Sequence, residues 1–292
     1  MKTKQFVEKL MNGIFFTCGM VAIAFVLLIT VYMLISGIPA IRQVGLFDFL
    51  LGTDWNPASV KNQQLGILPL ILTSVYGTLG AVVIGVPIGL LTAVFLAKVA
   101  SPRVAGIVRP AVELLSGIPS VVYGLLGIMV LVPAVAKVFH LSKGSGLFSA
   151  IIVLAVMILP SIIAVSETAL RSVPSEYEEA SLALGASRME TVFKVSLPAA
   201  KSGIAAGIVL GVGRAIGEAM AVMMVAGNVA NMPSLFKSVS FLTTAVAKDM
   251  GYASGLHRQA LFSIALVLFC FILIINAMMN LALKKKEGEK DA

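Results

Sequence analysis

Charge is scarce in this chain. Only 12% of its 292 residues are Asp, Glu, Lys or Arg, against 59% hydrophobic, and the mean hydropathy is +1.00. A water-soluble domain of this length needs far more polar surface, so the composition places the chain in a bilayer. Cysteine is nearly absent. Cys18 and Cys270 both lie inside long apolar runs, which excludes a disulfide framework and leaves them as packing residues. The two histidines, His140 and His257, stand in polar segments with no Cys or second His nearby, so they read as solvated and no metal site is spelled out. There is no Gly-x4-Gly-Lys-Ser/Thr phosphate loop and no nucleophile triad, which speaks against a catalytic role and against a cofactor. The net charge of +8 is not a nucleic-acid signal, because the basic residues are spread through short loops and do not interleave with aromatics.

What is present is a series of apolar runs. Six are long enough to span a bilayer, roughly at 14–36, 69–97, 110–136, 147–166, 202–226 and 259–283. The first lacks a signal-peptide cleavage pattern and reads as a retained anchor. Residues 1–13 pair Phe6, Val7, Leu10 and Met11 with Lys and Glu at helical spacing, the pattern of a short amphipathic helix on the inner membrane surface. The chain therefore divides into that N-terminal segment (1–13), a first span with its external loop (14–68), a permease-like core (69–283) and a charged, stop-transfer tail (284–292). With both termini inside, fourteen Lys and Arg fall in cytoplasmic segments and seven in external ones; the last of the 22 is Arg214, within a span. The positive-inside rule favours that orientation. Of the external loops, 37–68 carries Trp55, expected as an interfacial anchor, 138–146 is a plain connector, and 227–258 has room for a short re-entrant or interfacial helix.

The fifth span carries the chemistry. Gly203, Gly207 and Gly211 recur every four residues, a small-xxx-small stripe for close helix packing. Arg214 and Glu218 follow, one helical turn apart. A charge at the bilayer centre costs about 2.5–3.5 kcal/mol on insertion scales, so such residues are expected to face the bundle interior. One explanation is a buried ion pair that fixes helix rotation. The other is that Glu218 holds the Arg214 guanidinium for an anion, whose edge it matches bidentately. Arg109 and Glu113, four apart near the cytoplasmic edge of the third span, read as a local ion pair. Gly85, Pro87 and Gly89 in the second span, and Gly117, Pro119, Gly124 and Gly127 in the third, mark kinks or close contacts.

Between the fourth and fifth spans lies a polar segment with a definite order. Ser175 is a plausible N-cap, Glu176, Glu178 and Glu179 favour the positive end of a helix, and Gly185 is placed to end it. Glu179-Ala180-Ser181, three residues, Gly185, nine residues, Val195, one residue, Leu197-Pro198 resembles the EAA loop of ABC-importer permeases, with Ser181 in the third-Ala place and Val195 in the Ile place. In that family the loop is a cytoplasmic coupling helix seated on a separate ATPase subunit. The resemblance implies an all-α membrane protein with six transmembrane helices in the type I importer permease (MetI-like) fold, non-catalytic itself.

The resemblance narrows. Gly213-Arg214-Ala215-Ile216-Gly217-Glu218-Ala219-Met220-Ala221 is similar to the fifth-span signature of the phosphate-specific branch, with Ala219 where Thr is usual. The run from Glu113 to Gly124, and Thr53-Asp54-Trp55-Asn56-Pro57 followed by Gly66-Ile67-Leu68-Pro69, resemble its C-type subunit. This implies a bacterial or archaeal plasma-membrane protein, paired with an A-type permease subunit, a cytoplasmic ATP-binding dimer and an extracytoplasmic phosphate-binding protein. It further implies that Arg214 and Glu218 serve phosphate passage. Three other readings stand beside it: a permease for another small anion, an ion-coupled secondary transporter, and a non-transporting scaffold. The second would need its own coupling-ion site, whereas only one charged pair is visible within the spans. The third leaves the coupling-type loop without a purpose.

Overall fold

The computed structural model describes residues 2–59 and 63–288, with side chains over 7–59 and 63–278; Lys61, the side chains of residues 1–6 and of the charged tail, and residues 289–292 lie outside those limits. The chain begins with α1 (Lys2–Val44), one continuous helix where a surface helix and a separate span at 14–36 were expected. At 1.5 Å per residue it is about 65 Å long. The loop that follows is structured: a short α2 (Leu46–Leu51), then a two-stranded antiparallel hairpin of β1 (Trp55–Asn56) and β2 (Gln64–Leu65).

α3 (Leu68–Val94) opens on Pro69, whose missing N–H costs nothing in a first turn, and closes through a π-helical turn at Phe95–Val99. α4 (Pro102–Gly117) is a separate amphipathic helix, capped by Ser101, whose Oγ accepts from the Val104 N–H. The expected third span at 110–136 is therefore displaced. The residue before a proline is pushed out of the helical region. Ile118, before Pro119, takes φ −69° and ψ 127°, and the span restarts as α5 (Ser120–Leu126), a π turn (Gly127–Leu131) and α6 (Val132–Val138). α7 (Leu147–Arg171) runs five residues past its expected end and carries Glu167 into the protein.

The polar segment forms α8 (Ser175–Ala183), α9 (Arg188–Thr191), a π turn (Val192–Ser196) and α10 (Leu197–Ala199). α11 (Lys201–Gly217) leaves it at a 71° bend. α12 (Met220–Val225) completes the apolar run, α13 (Leu242–Asp249) is a short helix within the 227–258 loop, and α14 (Gly255–Gly288) ends the described chain.

Among the described residues five helices are long and apolar enough to cross a membrane, or six if the bent α9-to-α11 unit is counted as one span. α7 is the central one: 61% of its most apolar stretch lies inside the protein, against 17% for α14 and none for α1. Its Ile151, Ile158 and Ile162 fill the space left by Gly80, Gly85 and Gly89 of α3, where an added Cβ would meet isoleucine atoms at 2.6–2.9 Å. These glycines mark close contacts between neighbouring helices. α1 touches the bundle through α14, where the Ser263 hydroxyl donates to the Gly37 carbonyl at 2.6 Å across the crossing.

Candidate functional site

The fifth span is not one helix. α11 stops at Gly217 and α12 begins at Met220, so Glu218 lies in the break with extended backbone (φ −71°, ψ 128°). Arg214 and Glu218 are thus not stacked one turn apart, and the expected pairing does not form. The Glu218 carboxylate instead accepts from the Ala221 N–H at 3.0 Å, capping α12, while its carbonyl accepts from the Thr243 hydroxyl at 2.7 Å. Broken helices at membrane depth occur where the backbone is held by protein or lines a cavity, and Glu218 supplies that hold here. Arg214 is half-buried, and no carboxylate among the described residues pairs with it. Nearby, the Tyr123 hydroxyl of α5 donates to the Leu115 carbonyl at 2.6 Å. The result is a guanidinium held in a broken span with its donors available.

Gly203, Gly207 and Gly211 face α7. A Cβ on Gly203 would fall 2.4 Å from the Ala169 Cβ, on Gly207 3.1 Å from the Val165 Cβ, and on Gly211 2.9 Å from the Ile162 Cγ1. The stripe seats α11 against α7, and with it Arg214.

The loop at the far end of α11 folds as a compact two-helix hook. Ser175 is the first helical residue of α8, not its cap; Pro174 holds the N-cap position and no side chain caps it. Gly185 ends α8 at φ +88°, a conformation costly for any residue with a Cβ. The Gly185 N–H donates to the Leu182 carbonyl at 3.0 Å and the Ala186 N–H to the Ser181 carbonyl at 3.2 Å, the paired bonds of a Schellman motif. α9 opens with a capping box, Ser187 with Glu190, which accounts for a Glu190 carboxyl held below the usual range by the Ser187 backbone and hydroxyl and by Lys194. Glu179 and Ala180 are exposed, Ser181 shares a hydrogen bond with the Thr191 hydroxyl at 3.0 Å, Leu197 packs inward and Pro198 lies exposed beside the bend. Leu184 is 90% exposed and Tyr177 56%, so the hook displays apolar residues on a polar segment.

Two constellations escaped the sequence. Glu178 accepts from Lys98, at the end of α3, and from the Ser196 hydroxyl at 2.7 Å, tying the hook to the bundle. Burial raises its pKa, but Lys98 and Ser196 outweigh that and hold the carboxyl below the usual range. The second is Glu167, 8% exposed on α7, which accepts from Arg109 at 2.6 Å and Arg171 at 3.0 Å. Arg109 therefore pairs with Glu167 and not, as expected, with Glu113, and the spans hold more charge than the one pair visible in sequence. The Glu167–Arg171 spacing of four was the available signal. On the opposite side of the bundle, His257 is not solvated: its ring packs edge-on to Trp55, with centroids 6.2 Å apart, and its Nε2 lies 3.7 Å from Asp249. Trp55, the first residue of β1, is half-buried and packs against the cluster that holds Phe49 and Leu65.

Several solved ABC transporters share this fold. A chain of the methionine ABC transporter MetNI, in an inward-facing form, aligns at TM-score 0.56 over 75% of this chain and 94% of its own, with 21% identity. A chain of a bacterial alginate ABC transporter aligns at TM-score 0.62 over 92% of each, with 15% identity. Residues 85–287 match the family model described as binding-protein-dependent transport system inner membrane component, and the chain belongs to that family. Among its relatives are the probable ABC transporter permease protein YqgH of Bacillus subtilis, 38% identical over 89% of this chain and 86% of that protein, and the phosphate transport system permease protein PstC of Pasteurella multocida, 36% identical over 84% and 82%. The MetI-like, all-α importer fold implied by the sequence is thus the observed one.

Proposed function

We propose that this chain is the C-type permease subunit of an ATP-driven importer of inorganic phosphate, forming half of the pathway and hydrolysing nothing itself. The observation that carries the reading is Arg214: a guanidinium without a carboxylate partner among the described residues, beside a break in the fifth span, in a chain whose relatives include phosphate permeases. An A-type permease subunit supplies the other half, an ATP-binding dimer sits against the α8–α9 hook, and an extracytoplasmic phosphate-binding protein docks at the opposite mouth. The bias of basic residues supports a hook and termini in the cytoplasm. The exposed Tyr177 and Leu184 support a protein partner on the hook.

In this scheme Arg214 contacts the anion. Glu218 acts indirectly, by capping α12 and so fixing the break that presents Arg214. Hydrogen bonds to a charged group contribute about 1.5–3 kcal/mol. Arg214→Gln in the reconstituted transporter is expected to lower labelled-phosphate uptake by ten-fold or more, as about 1.4 kcal/mol is ten-fold in an equilibrium constant. Arg214→Lys keeps the charge without the planar fork and recovers little. If Arg214 instead served as half of an ion pair, the Arg214→Gln/Glu218→Gln double variant would transport normally, and that result refutes the substrate role. Competition by other oxyanions in the same assay tests the reading as a permease for a different small anion.

A further inference from the structure

The Arg109–Glu167–Arg171 cluster does more than close a gap between helices. The π turn at Phe95–Val99 gives the Ala100 N–H to the Phe95 carbonyl at 2.7 Å, which releases the Leu96 carbonyl from its ordinary helical partner. Both arginines take it: Arg109 Nη2 donates to that oxygen at 3.4 Å and Arg171 Nη2 at 3.2 Å. Both also give their Nε–H to the same Glu167 oxygen. Each guanidinium is therefore anchored along one edge by the same two acceptors, and among the described residues nothing accepts from either Nη1. The side chains keep 35% and 48% of their surface open, and they border a cavity of about 290 Å³ that Glu113 also lines.

We propose that this cavity is a second anion subsite, one that takes a protonated phosphate oxyanion between the outer edges of Arg109 and Arg171, with Glu113 accepting its P–OH proton. The inference rests on the reading of this chain as a phosphate permease and adds a station to it. Two guanidinium edges suit phosphate oxygens. With Glu113 ionised, two positive charges face two negative ones, so a fully deprotonated anion gains little. Phosphate near neutral pH retains a proton to donate to that carboxylate, whereas sulfate has none. Position fits a relay: Gly211 packs on Ile158 and Ile162, so Arg214 lies near the Ile158 level of α7. Glu167 is nine residues further toward the hook, about 14 Å along the helix.

The test uses the complete transporter in phosphatidylcholine nanodiscs, with Cys18 and Cys270 replaced by Ala and Thr168→Cys, which lines the cavity, as the reporter. Millimolar phosphate is expected to slow alkylation of that cysteine several-fold, and sulfate is not. Arg109→Gln with Arg171→Gln removes the protection, and Glu113→Gln lets sulfate protect. Equal rates with and without phosphate overturn the proposal. So does protection that appears in phosphatidylglycerol nanodiscs without added phosphate, because a phosphodiester headgroup has no proton for Glu113. If an arginine variant does not assemble, the phosphate-against-sulfate contrast in the unmutated cavity decides alone. Labelled-phosphate uptake measured on the same preparation separates the two readings: uptake without protection refutes the subsite, and lack of uptake refutes the assignment as a phosphate permease.

Discussion

Replacing glycine by alanine along α11 gives a graded perturbation with its own control. At Gly203 the new Cβ would stand 2.4 Å from the Ala169 Cβ, where apolar carbons prefer 3.5–4.0 Å, and neither methyl has a torsion that moves it aside. The helices must part by more than about 1 Å, at an overpacking cost of about 1–3 kcal/mol. At Gly213, on the same helix, nothing lies within 4 Å. Alanine there gains only the helix propensity, about 1 kcal/mol over glycine. Because both variants share that propensity gain, the gap between them isolates the packing cost. Gly211→Ala is intermediate, since the Ile162 Cγ1 it meets can rotate away. Thermal unfolding of the purified chain in detergent is expected to rank Gly213→Ala highest, Gly211→Ala next and Gly203→Ala lowest. Ala169→Gly should restore the Gly203→Ala variant, with a coupling of about 1 kcal/mol or more in the double-mutant cycle. Equal stability of Gly203→Ala and Gly213→Ala, or no rescue by Ala169→Gly, refutes the packing argument.

Three further outcomes follow from the hook and the topology. Gly185→Asp forces a side chain into φ +88° and is expected to weaken co-purification of the ATP-binding subunit while membrane insertion persists; full recovery of that subunit would exclude α8 as its seat. An impermeant thiol reagent applied outside intact cells, in a background lacking Cys18 and Cys270, is expected to label Asp54→Cys and miss Leu184→Cys, although both positions are exposed; the reverse pattern overturns the orientation. The Glu178 carboxyl has a folded pKa below its unfolded value, so the stability it contributes is present above the unfolded pKa and is lost as pH falls through the depressed folded one. Amide exchange in α8 is therefore expected to be insensitive to Lys98→Met only in acid below the usual carboxylate range, and sensitive at neutral pH; sensitivity to Lys98→Met in acid as well would show that Glu178 does not supply the tie.

The sequence by itself determined the membrane class, the helical period, the presence of a polar-segment helix ending at Gly185 and the family. Each is written in one-dimensional order: apolar runs of bilayer length, a polar interval, a glycine where only left-handed backbone closes the turn. It also singled out Arg214, because an isolated charge in an apolar run needs no tertiary information to be noticed. Tertiary structure alone decided who pairs with whom. Arg109 had a local candidate in Glu113 and took Glu167, 58 residues away, because α7 delivers a buried carboxylate and a π turn delivers a bare carbonyl to the same point. Glu218 sits four residues from Arg214 and still caps α12, because the helix between them breaks and an exposed N-terminal turn is a nearer claimant on a carboxylate than a guanidinium one turn back. Glu178 looked like one acid among three, and only the approach of Lys98 across 80 residues distinguishes it. Local propensity places elements, but a charge in a low-dielectric bundle goes to whichever partner three-dimensional packing brings within reach, and that choice is not encoded by spacing.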